Sequence, residues 1–356
     1  ENVEKIVREI YKDKNVTIDR ADISLRDGFI NNNGHVGKSK IHKANYIRNI
    51  LYKSEYLTYK LQDIKKKRKE KIKKICSQSY DLAIFAGGHM IMSYFSFQIY
   101  YFVKYLDDSG TKIIFNACGV GEIKSRILLN KVKQALMNKN VVYISSRDNV
   151  EKLKKEYLIG DKKSLVKKTY DPAIFTNETY GVKKDVSSEI VGLGIMNLLD
   201  EKKEDVIKFW KGIIDNLEKQ GKKWQMFCNG SQEDYELACE CLRTIKKNNN
   251  DVISIAPKPD RPIDLVKLIS KYKSIISFRL HSHIIAYSLD IPTIAIVWNE
   301  KVKFFFKDLN LEDRCFEIKD KPEDIVKKLL EVESSKYDKS IKDKQKGVIR
   351  NNLMIF

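Results

Sequence analysis

A strand–helix–strand pattern between Lys273 and Lys303 constrains the fold of this chain more than any other stretch. The apolar run Lys273–Phe278 predicts a buried strand, and Thr293–Trp298 predicts a second one. Between them His281–Leu289 has apolar residues at helical spacing, and Asp290-Ile291-Pro292 ends that helix. Two strands joined by a helix form the crossover unit of a parallel sheet. The pattern therefore predicts an α/β fold.

Three basic residues follow the two strands of this unit. Arg279 and His281 come at the end of the first strand, and Lys301 follows the second. Parallel sheets bind ligands where strands end and helices begin, and the free N–H groups of a helix start attract anions. We therefore expect a site for a small, highly charged anion. For Arg279 and His281 the alternative is a salt-bridged strand end with a buried imidazole. His283 lies two residues further along the helix and is interpreted as structural.

The same alternation of strands and helices fills two halves of the chain. The polar stretch Gly181–Ser188 between the halves predicts a linker. We expect two Rossmann-like domains, residues 1–182 and 186–330, that face each other across a cleft, followed by a helical tail at 331–356. Besides the unit described above, strands are predicted at Asn15–Ala21, Asp81–Ala86, Thr111–Cys118, Val141–Ser145, Glu189–Met196, Lys223–Cys228, Asp251–Ile255 and Arg314–Ile318.

Several residues outside the C-terminal unit are further candidates for ligand contact. Gly87 and Gly88 follow a predicted strand, where glycine lets the backbone approach a ligand, although a tight turn needs the same residues. Arg147 repeats the position of Arg279, a guanidinium at a strand end. Its alternative is a surface ion pair or helix-start device with Asp148. Asn229 follows the predicted strand at 223–228 and is a candidate of the same kind.

The segment Ile64–Ile75 (IKKKRKEKIKKI) predicts a basic helix. Ile64, Ile72 and Ile75 mark a thin apolar edge on it. Two interpretations stay open, a helix exposed to solvent and a helix that docks on an anionic membrane surface.

The charge balance and the cysteines limit the class of partner. Basic residues number 67 and acidic residues 48, a net charge of +19 that favours anionic partners. The basic residues are spread along the chain without a recognisable nucleic-acid-binding motif, which argues against a nucleic-acid partner. The six cysteines fit a reducing cytoplasm. Because the cysteines show no metal-ligand spacing and the three histidines outside the C-terminal half are isolated, no metal is expected.

The termini and the apolar runs add two further expectations. No apolar run approaches the length of a membrane span, and no secretory signal is present. Because the chain begins at Glu1 inside a helical pattern and without methionine, we expect further residues upstream.

An ordered set of short motifs resembles the polysaccharide pyruvyl transferase family and covers roughly the whole chain. The motifs are DLAIFAGG at Asp81–Gly88, FNACGVG at Phe115–Gly121, SSRD at Ser145–Asp148, DPAIF at Asp171–Phe175, SFRLHS at Ser277–Ser282, DIP at Asp290–Pro292 and NEK at Asn299–Lys301.

The resemblance implies a fold like that of GT-B glycosyltransferases and an enzyme that uses phosphoenolpyruvate to form a pyruvate ketal on a sugar. It implies a cell-surface polysaccharide pathway, a glycan or lipid-linked sugar as acceptor and no cofactor. The family usually opens with a strand, so the resemblance also implies that the first strand of the N-terminal domain lies upstream of Glu1. The cysteines and the basic segment Ile64–Ile75 add the expectation of a cytoplasmic protein with peripheral contact at the inner face of the membrane. His89 stands where many members have a third glycine, and this departure leaves the identity of the acceptor sugar open.

Under this resemblance the candidate residues take specific roles. His281 and Arg279 are catalytic, with His281 either a general acid or a phosphate ligand. The residues assigned to substrate binding are Arg147, Lys301, Gly87, Gly88 and Asn229. The alternative function is a GT-B glycosyltransferase, in which Arg279 and Lys301 would hold a nucleotide diphosphate. A nucleotide sugar would also need a carboxylate for its ribose hydroxyls, and Glu300 is the nearby candidate.

Overall fold

A computed structural model describes residues 1–25, 54–198, 201–245 and 255–354. The chain divides into two compact units. We call Val3–Pro172 with Gly347–Phe356 the N-terminal unit, and Ala173–Lys346 with Glu1–Asn2 the C-terminal unit. The main boundary between the two units lies between Pro172 and Ala173. The domain limits predicted from the sequence, 1–182 and 186–330, remain a prediction.

Every strand pair within the described ranges is parallel. The N-terminal unit has a four-stranded sheet in the order β1-β3-β5-β6 and a small β2-β4 sheet, and the C-terminal unit has a five-stranded sheet in the order β11-β10-β9-β7-β8. The predicted α/β class is confirmed, with a parallel sheet in each unit. The strands are β1 Leu82–Phe85, β2 Gly88–Ile91, β3 Lys112–Phe115, β4 Cys118–Val120, β5 Val141–Ser146, β6 Val166–Lys168, β7 Ile190–Gly194, β8 Lys223–Phe227, β9 Ser274–Ser277, β10 Thr293–Ile296 and β11 Cys315–Phe316.

Helices connect most of these strands, as parallel crossovers require. Within the described ranges every helix is too short or too polar to cross a bilayer. The helices are α1 Asn2–Ile10, α2 Glu55–Lys65, α3 Arg68–Ile75, α4 Ser96–Asp108, α5 Arg126–Leu136, α6 Val150–Tyr157, α7 Thr176–Tyr180, α8 Lys203–Lys219, α9 Gln232–Ile245, α10 Pro262–Ile269, α11 Leu280–Ser288, α12 Glu300–Lys307, α13 Pro322–Val332 and α14 Lys339–Leu353.

Four sequence predictions of elements differ from the structure. The predicted strand Asn15–Ala21 is irregular and pairs with no strand in the part of the chain that the structure describes. The predicted strand Thr111–Cys118 is two strands, β3 and β4, because Ala117 takes a positive φ of 50° between them. The basic segment Ile64–Ile75 belongs to two helices, because Lys67 lies in the left-handed region and ends the first. Residues 251–254 of the predicted strand Asp251–Ile255 lie outside the described ranges, and Ile255 forms a single parallel bridge.

Most of the strands are largely apolar, as parallel strands covered by helices on both faces are, and β6 differs in having two exposed lysines. In the N-terminal unit Phe85 and Phe115 are partners in the register of β1 and β3, and their rings stack at 4.2 Å. In the C-terminal unit the fully buried Trp210 of α8 packs edge to face on Phe278, which directly follows β9. These two aromatic contacts fix the strand ends that lead to the candidate residues.

Candidate functional site

The carboxyl ends of four strands meet at one edge of the C-terminal sheet. Gly194 at the end of β7 pairs with Phe227 of β8 on one side and with Ser277 of β9 on the other. Ser277 in turn pairs with Ala295 of β10. Because the strands run in the same direction, the segments that follow them leave from this same edge. These segments carry Asn229, Arg279, His281 and Lys301, so the structure brings the four predicted residues of the C-terminal unit to one edge.

Ser277 fixes the backbone at the point where Arg279 leaves the sheet. Its hydroxyl donates to the carbonyl of Gly194 at 3.3 Å and accepts from the N–H of Arg279 at 3.1 Å. A side chain at position 194 would overlap this hydroxyl, so only glycine allows β7 to lie this close to β9.

The guanidinium of Arg279 is held by a buried aspartate. Nε of Arg279 donates to Asp234 Oδ2 at 3.0 Å, and Nη2 donates to the same oxygen. Asp234 is 1% exposed and lies in the first turn of α9, where its other oxygen accepts from the N–H of Asn197 at 2.9 Å. The Arg279 side chain is 34% exposed, and within the described ranges its Nη1 makes no hydrogen bond. One edge of the guanidinium is therefore fixed and the other edge faces outward.

Helix α11 begins directly after Arg279, whose extended backbone provides the cap position without a side-chain cap. The hydroxyl of Ser282 in the first turn donates to Asn229 Oδ1 at 2.8 Å, which ties the start of α11 to the segment after β8. His281 lies in the same turn and is exposed. The N-terminus of a helix, with its partial positive charge, therefore lies beside Arg279 and His281.

Lys301 and Trp298 lie on the segment after β10. Asn299 caps α12 by accepting from the N–H of Lys301 at 3.0 Å, and the Lys301 side chain is half-buried. Trp298 is about half-exposed, and its Nε1 donates to the carbonyl of Phe278 at 2.8 Å. That bond joins the segment after β10 to the end of β9. Trp298 therefore adds an exposed indole ring to this edge, which the sequence interpretation did not include among the site residues.

His283 is a structural residue, as the sequence predicts. It is fully buried, with Nδ1 at 2.6 Å from Thr293 Oγ1 and Nε2 at 3.0 Å from the carbonyl of Ser277. Burial lowers the pKa of His283 to about 3. The ring is therefore neutral at physiological pH, and the simplest assignment is that Nε2 donates to the carbonyl while Nδ1 accepts from the threonine hydroxyl.

In the N-terminal unit the two candidate glycines join β1 to β2. Gly87 and Gly88 both have positive φ, near 100°. A Cβ at Gly87 would lie 3.2 Å from the carbonyl oxygen of Asn116, whereas a Cβ at Gly88 would meet nothing within 4 Å. The pair therefore makes a turn that needs glycine at both positions for conformational reasons. The open space around Gly88 is compatible with the close approach of a ligand to the backbone.

Arg147, the other strand-end arginine, also forms an ion pair with an aspartate. Its Nη1 donates to Asp171, and the two side chains are 9% and 11% exposed. Burial lowers the pKa of Arg147. Lys168 donates to the carbonyl of Arg147 at 2.8 Å and holds the same turn from β6. Arg147 is thus more enclosed than Arg279.

Asp148 joins the turn after β5 to β4. Its Oδ1 accepts from the N–H of Asn149 at 2.7 Å and from the N–H of Val120 at 3.0 Å. The cap of the following helix α6 is Asn149, whose side chain accepts from the N–H of Lys152 at 3.0 Å. Neither of the two alternatives stated for Arg147 and Asp148 describes them, because Arg147 pairs with Asp171 and the cap is Asn149.

The sequence interpretation missed both aspartate partners. Asp234 lies 45 residues before Arg279, in the first turn of α9, where an acidic residue is ordinarily explained by the helix dipole. Asp171 was noted as part of DPAIF but was not connected with Arg147. Such pairs can be recognised only from the tertiary structure, because each joins a strand end to a residue that is distant in the sequence.

No group of three or more histidine, cysteine, aspartate or glutamate side chains suited to a metal occurs in the part of the chain that the structure describes. Glu300, the candidate for ribose hydroxyls, is exposed in the first turn of α12 and lies 3.6 Å from the Lys303 ammonium.

Comparisons with known proteins agree on the fold. A family model described as polysaccharide pyruvyl transferase matches residues 1–300. A solved structure described as a UDP-N-acetylglucosamine 2-epimerase from Listeria monocytogenes is 11% identical with a TM-score of 0.56, over 82% of this chain and 78% of that one. The S. aureus MnaA structure with UDP is 10% identical with a TM-score of 0.52, over 96% and 86%. At these identities the likeness concerns the fold alone. No curated protein matches the chain.

Proposed function

Because the chain belongs to the polysaccharide pyruvyl transferase family, a family of enzymes, we propose that it transfers the pyruvyl group of phosphoenolpyruvate to two hydroxyls of a sugar. The product is a pyruvate ketal, and the acceptor is a glycan or a lipid-linked sugar of cell-surface polysaccharide biosynthesis. The observation that carries the donor assignment is the outward edge of Arg279 at the start of α11.

The donor carries a carboxylate and a phosphate, and both suit the planar fork of an arginine. Asp234 occupies Nε and Nη2 and keeps the guanidinium in one orientation, so binding an anion costs little ordering. The same aspartate offsets one positive charge. The remaining attraction comes from Lys301, from the start of α11 and from His281 when it is protonated.

In the proposed reaction two bonds form at C2 of phosphoenolpyruvate. The first sugar hydroxyl bonds to C2 through its oxygen and loses its proton, while the electrons of the C2–C3 double bond take a proton at C3 and make a methyl group. The second hydroxyl then bonds to C2 and loses its proton as the C2–O bond to phosphate breaks. Inorganic phosphate leaves with that electron pair and takes up the second proton. Both steps develop charge next to the phosphate, where fixed cations stabilise the transition state more than the ground state.

His281 and Arg279 are the residues to which we assign catalysis. An exposed imidazole in the first turn of α11 can deliver the proton to C3 or donate to the leaving phosphate, and both roles suit a histidine at neutral pH. We assign Lys301 and Asn229 to substrate binding at the same edge. From the N-terminal unit we assign the backbone at Gly87 and Gly88, and Arg147 with a smaller role because its side chain is enclosed.

The test is a calorimetric titration of the full chain with phosphoenolpyruvate and, separately, with UDP-sugars, followed by phosphate release in the presence of sugar acceptors. We expect phosphoenolpyruvate to bind and UDP-sugars not to. His281→Asn should keep most of the binding and lower turnover by about 100-fold or more, the usual effect of removing a general acid. If phosphoenolpyruvate does not bind at millimolar concentration while a UDP-sugar binds through Arg279, the proposal is wrong and a glycosyltransferase takes its place.

A further inference from the structure

Helix α2 exposes three large apolar side chains on one side. Leu57, Leu61 and Ile64 are 38%, 49% and 62% exposed. Their spacing of four and three residues places them above one another on the helix surface, and we call them the apolar stripe. The opposite side of α2 packs on the unit, since the buried Asp63 accepts from the hydroxyl of Tyr101 on α4 at 3.0 Å. The stripe therefore faces away from the core.

Lysines continue directly from the end of the stripe. Residues 60–74 contain nine basic and two acidic side chains. Lys65, Lys66 and Lys67 are exposed at the break between α2 and α3. The further exposed lysines of α3 are Lys69, Lys71, Lys73 and Lys74. The exposed surface of this segment is therefore strongly positive next to an apolar patch.

Two buried residues keep α3 in an orientation that leaves its lysines outside. Ile72 and Arg68 are both fully buried, and the Arg68 guanidinium lies 5.2 Å from the centre of the Tyr94 ring. The left-handed conformation of Lys67 separates the two helices, so α3 follows its own buried side rather than that of α2. The lysines on α3 are thus fixed by packing and are not part of a frayed end.

We propose that the apolar stripe and the lysines beside it dock the protein on the surface of an anionic lipid bilayer. Aliphatic side chains gain free energy by entering the interface, and lysine ammonium groups are attracted to anionic headgroups. An amphipathic surface with basic residues flanking an apolar patch is the form that such docking takes. Docking of this kind is peripheral and reversible, and it weakens as salt screens the lysines.

A lipid surface fits these residues better than a second copy of the chain does. In a symmetric dimer through the stripe, the same patch would meet itself and bring the two sets of lysines together. A polyanion without apolar groups would pair with the lysines but leave the stripe exposed to water. Only an occupant that is both anionic and apolar matches the whole surface.

The inference is independent of the donor chemistry, because docking is measured without substrate. Under the proposed function it has one consequence for the acceptor. An enzyme held on a bilayer is held on the surface that presents a lipid-linked sugar.

The experiment measures retention of the full chain on vesicles of phosphatidylcholine, with and without phosphatidylglycerol, at low and high salt. The stripe variant is Leu61→Glu with Ile64→Glu, and the charge variant replaces Lys65, Lys66 and Lys69 by glutamine. The control is Ile159→Glu, which makes the same change at a 70% exposed apolar residue of the same unit. Thermal melting and size-exclusion chromatography of each variant accompany the measurement.

We expect retention of the wild type and of Ile159→Glu on anionic vesicles, release by salt, and a loss of about tenfold in both other variants. Phosphate release with a water-soluble acceptor should be unchanged in the stripe variant. Equal retention on neutral and anionic vesicles, or full retention of a correctly folded stripe variant, would overturn the proposal. A wild type that elutes as a dimer and a stripe variant that elutes as a monomer, with no vesicle retention, would assign the stripe to contact between copies instead.

Discussion

Arg279 and Arg147 occupy the same place in two different sheets. Each lies within two residues of the end of an inner parallel strand, and each pairs with an aspartate from another part of the chain, Asp234 for Arg279 and Asp171 for Arg147. They differ in exposure, which is 34% for the Arg279 side chain and 9% for that of Arg147. An arginine at a strand end can therefore be accessible to a ligand, as Arg279 is, or be largely enclosed by the protein, as Arg147 is.

The difference follows from what surrounds each pair and not from the number of bonded guanidinium nitrogens, which within the described ranges is two for Arg279 and one for Arg147. Asp234 is deeply buried and itself fixed by the N–H of Asn197, so it holds Arg279 from the inner side only. Asp171 and Arg147 are enclosed to a similar degree, and burial lowers the pKa of Arg147. An arginine with one fixed edge is preorganised for an anion, whereas an enclosed ion pair mainly holds its turn in place.

The largest effect that separates the two arginines is on stability. Arg147→Ala removes the enclosed guanidinium that pairs with Asp171, and the free energy of unfolding should fall by about 3–5 kcal/mol. Arg279→Ala vacates a space that is open to solvent, and Asp234 keeps its hydrogen bond from the N–H of Asn197, so a smaller loss of about 1–3 kcal/mol is expected. Urea denaturation at neutral pH measures both values.

The double variant Arg147→Ala with Asp171→Ala is the control for this comparison. It removes the Asp171 carboxylate together with the guanidinium, so part of the lost stability should return. A loss below about 1 kcal/mol for Arg147→Ala would mean that the pair is weakened by water, as surface ion pairs are. The distinction between the two strand ends would then disappear.

The second effect is on ligand binding and has the opposite order. Arg279→Lys keeps the charge but loses the planar fork, so binding of phosphoenolpyruvate should weaken by about 1.5–3 kcal/mol. Arg147→Lys should weaken it by less than about 1 kcal/mol, because an enclosed side chain offers little surface to the ligand. Calorimetry at a temperature well below each melting point compares them, and equal losses would contradict the assignment of the main anion contact to Arg279.

Much of the fold could be predicted from the sequence, because buried parallel strands are continuous apolar runs and their ends carry turn residues. The unit β9-α11-β10 lies where the spacing predicts it, to within a few residues. The break at Lys67 could not be predicted in this way, because the lysine-rich segment lacks glycine or proline there. The buried anchors Arg68 and Ile72, not local propensity, decide where α3 begins.

The candidate site could be predicted only in its local parts. Arg279, His281 and Lys301 follow strands in the sequence, so their common edge follows from parallel topology. The contacts of Asp234 with Arg279 and of Ser282 with Asn229 form because the starts of α9 and α11 lie close together. The strand order, in which β7 lies between β8 and β9, determines which helix starts are neighbours. Neither partner has a sequence signal near the residue it holds.

The third effect is the pH dependence of stability that comes from the buried titratable groups near each arginine. Behind Arg279 is His283, whose pKa burial lowers to about 3 from an ordinary value of 6.5. The unfolded chain binds this proton between those values and the folded chain does not, so stability falls as pH drops below 6.5. The expected loss from this group is about 2 kcal/mol between pH 7 and pH 5. Above pH 7 it contributes no pH dependence.

His283→Gln tests this prediction, because glutamine does not titrate. The variant is expected to be less stable than the wild type at pH 7 and to lose about 2 kcal/mol less on going to pH 5. Behind Arg147 the buried group is Cys118, whose pKa burial raises to about 12, so Cys118→Ala should leave the pH dependence unchanged. Parallel pH dependences for wild type and His283→Gln would show that the ring is protonated within the fold.

The smallest effect concerns how the start of α11 is held next to Arg279. The hydroxyl of Ser282 donates to Asn229 Oδ1, and this bond ties α11 to the end of β8. Asn229→Ala and Ser282→Ala should each cost about 1 kcal/mol of unfolding free energy, with a coupling of about 0.5–1.5 kcal/mol in the double variant. If Asn229 also contacts the donor, Asn229→Ala lowers affinity for phosphoenolpyruvate more than Ser282→Ala does. Equal affinities in the two variants would limit Asn229 to positioning the helix, and Arg279 would then meet the ligand without help from the end of β8.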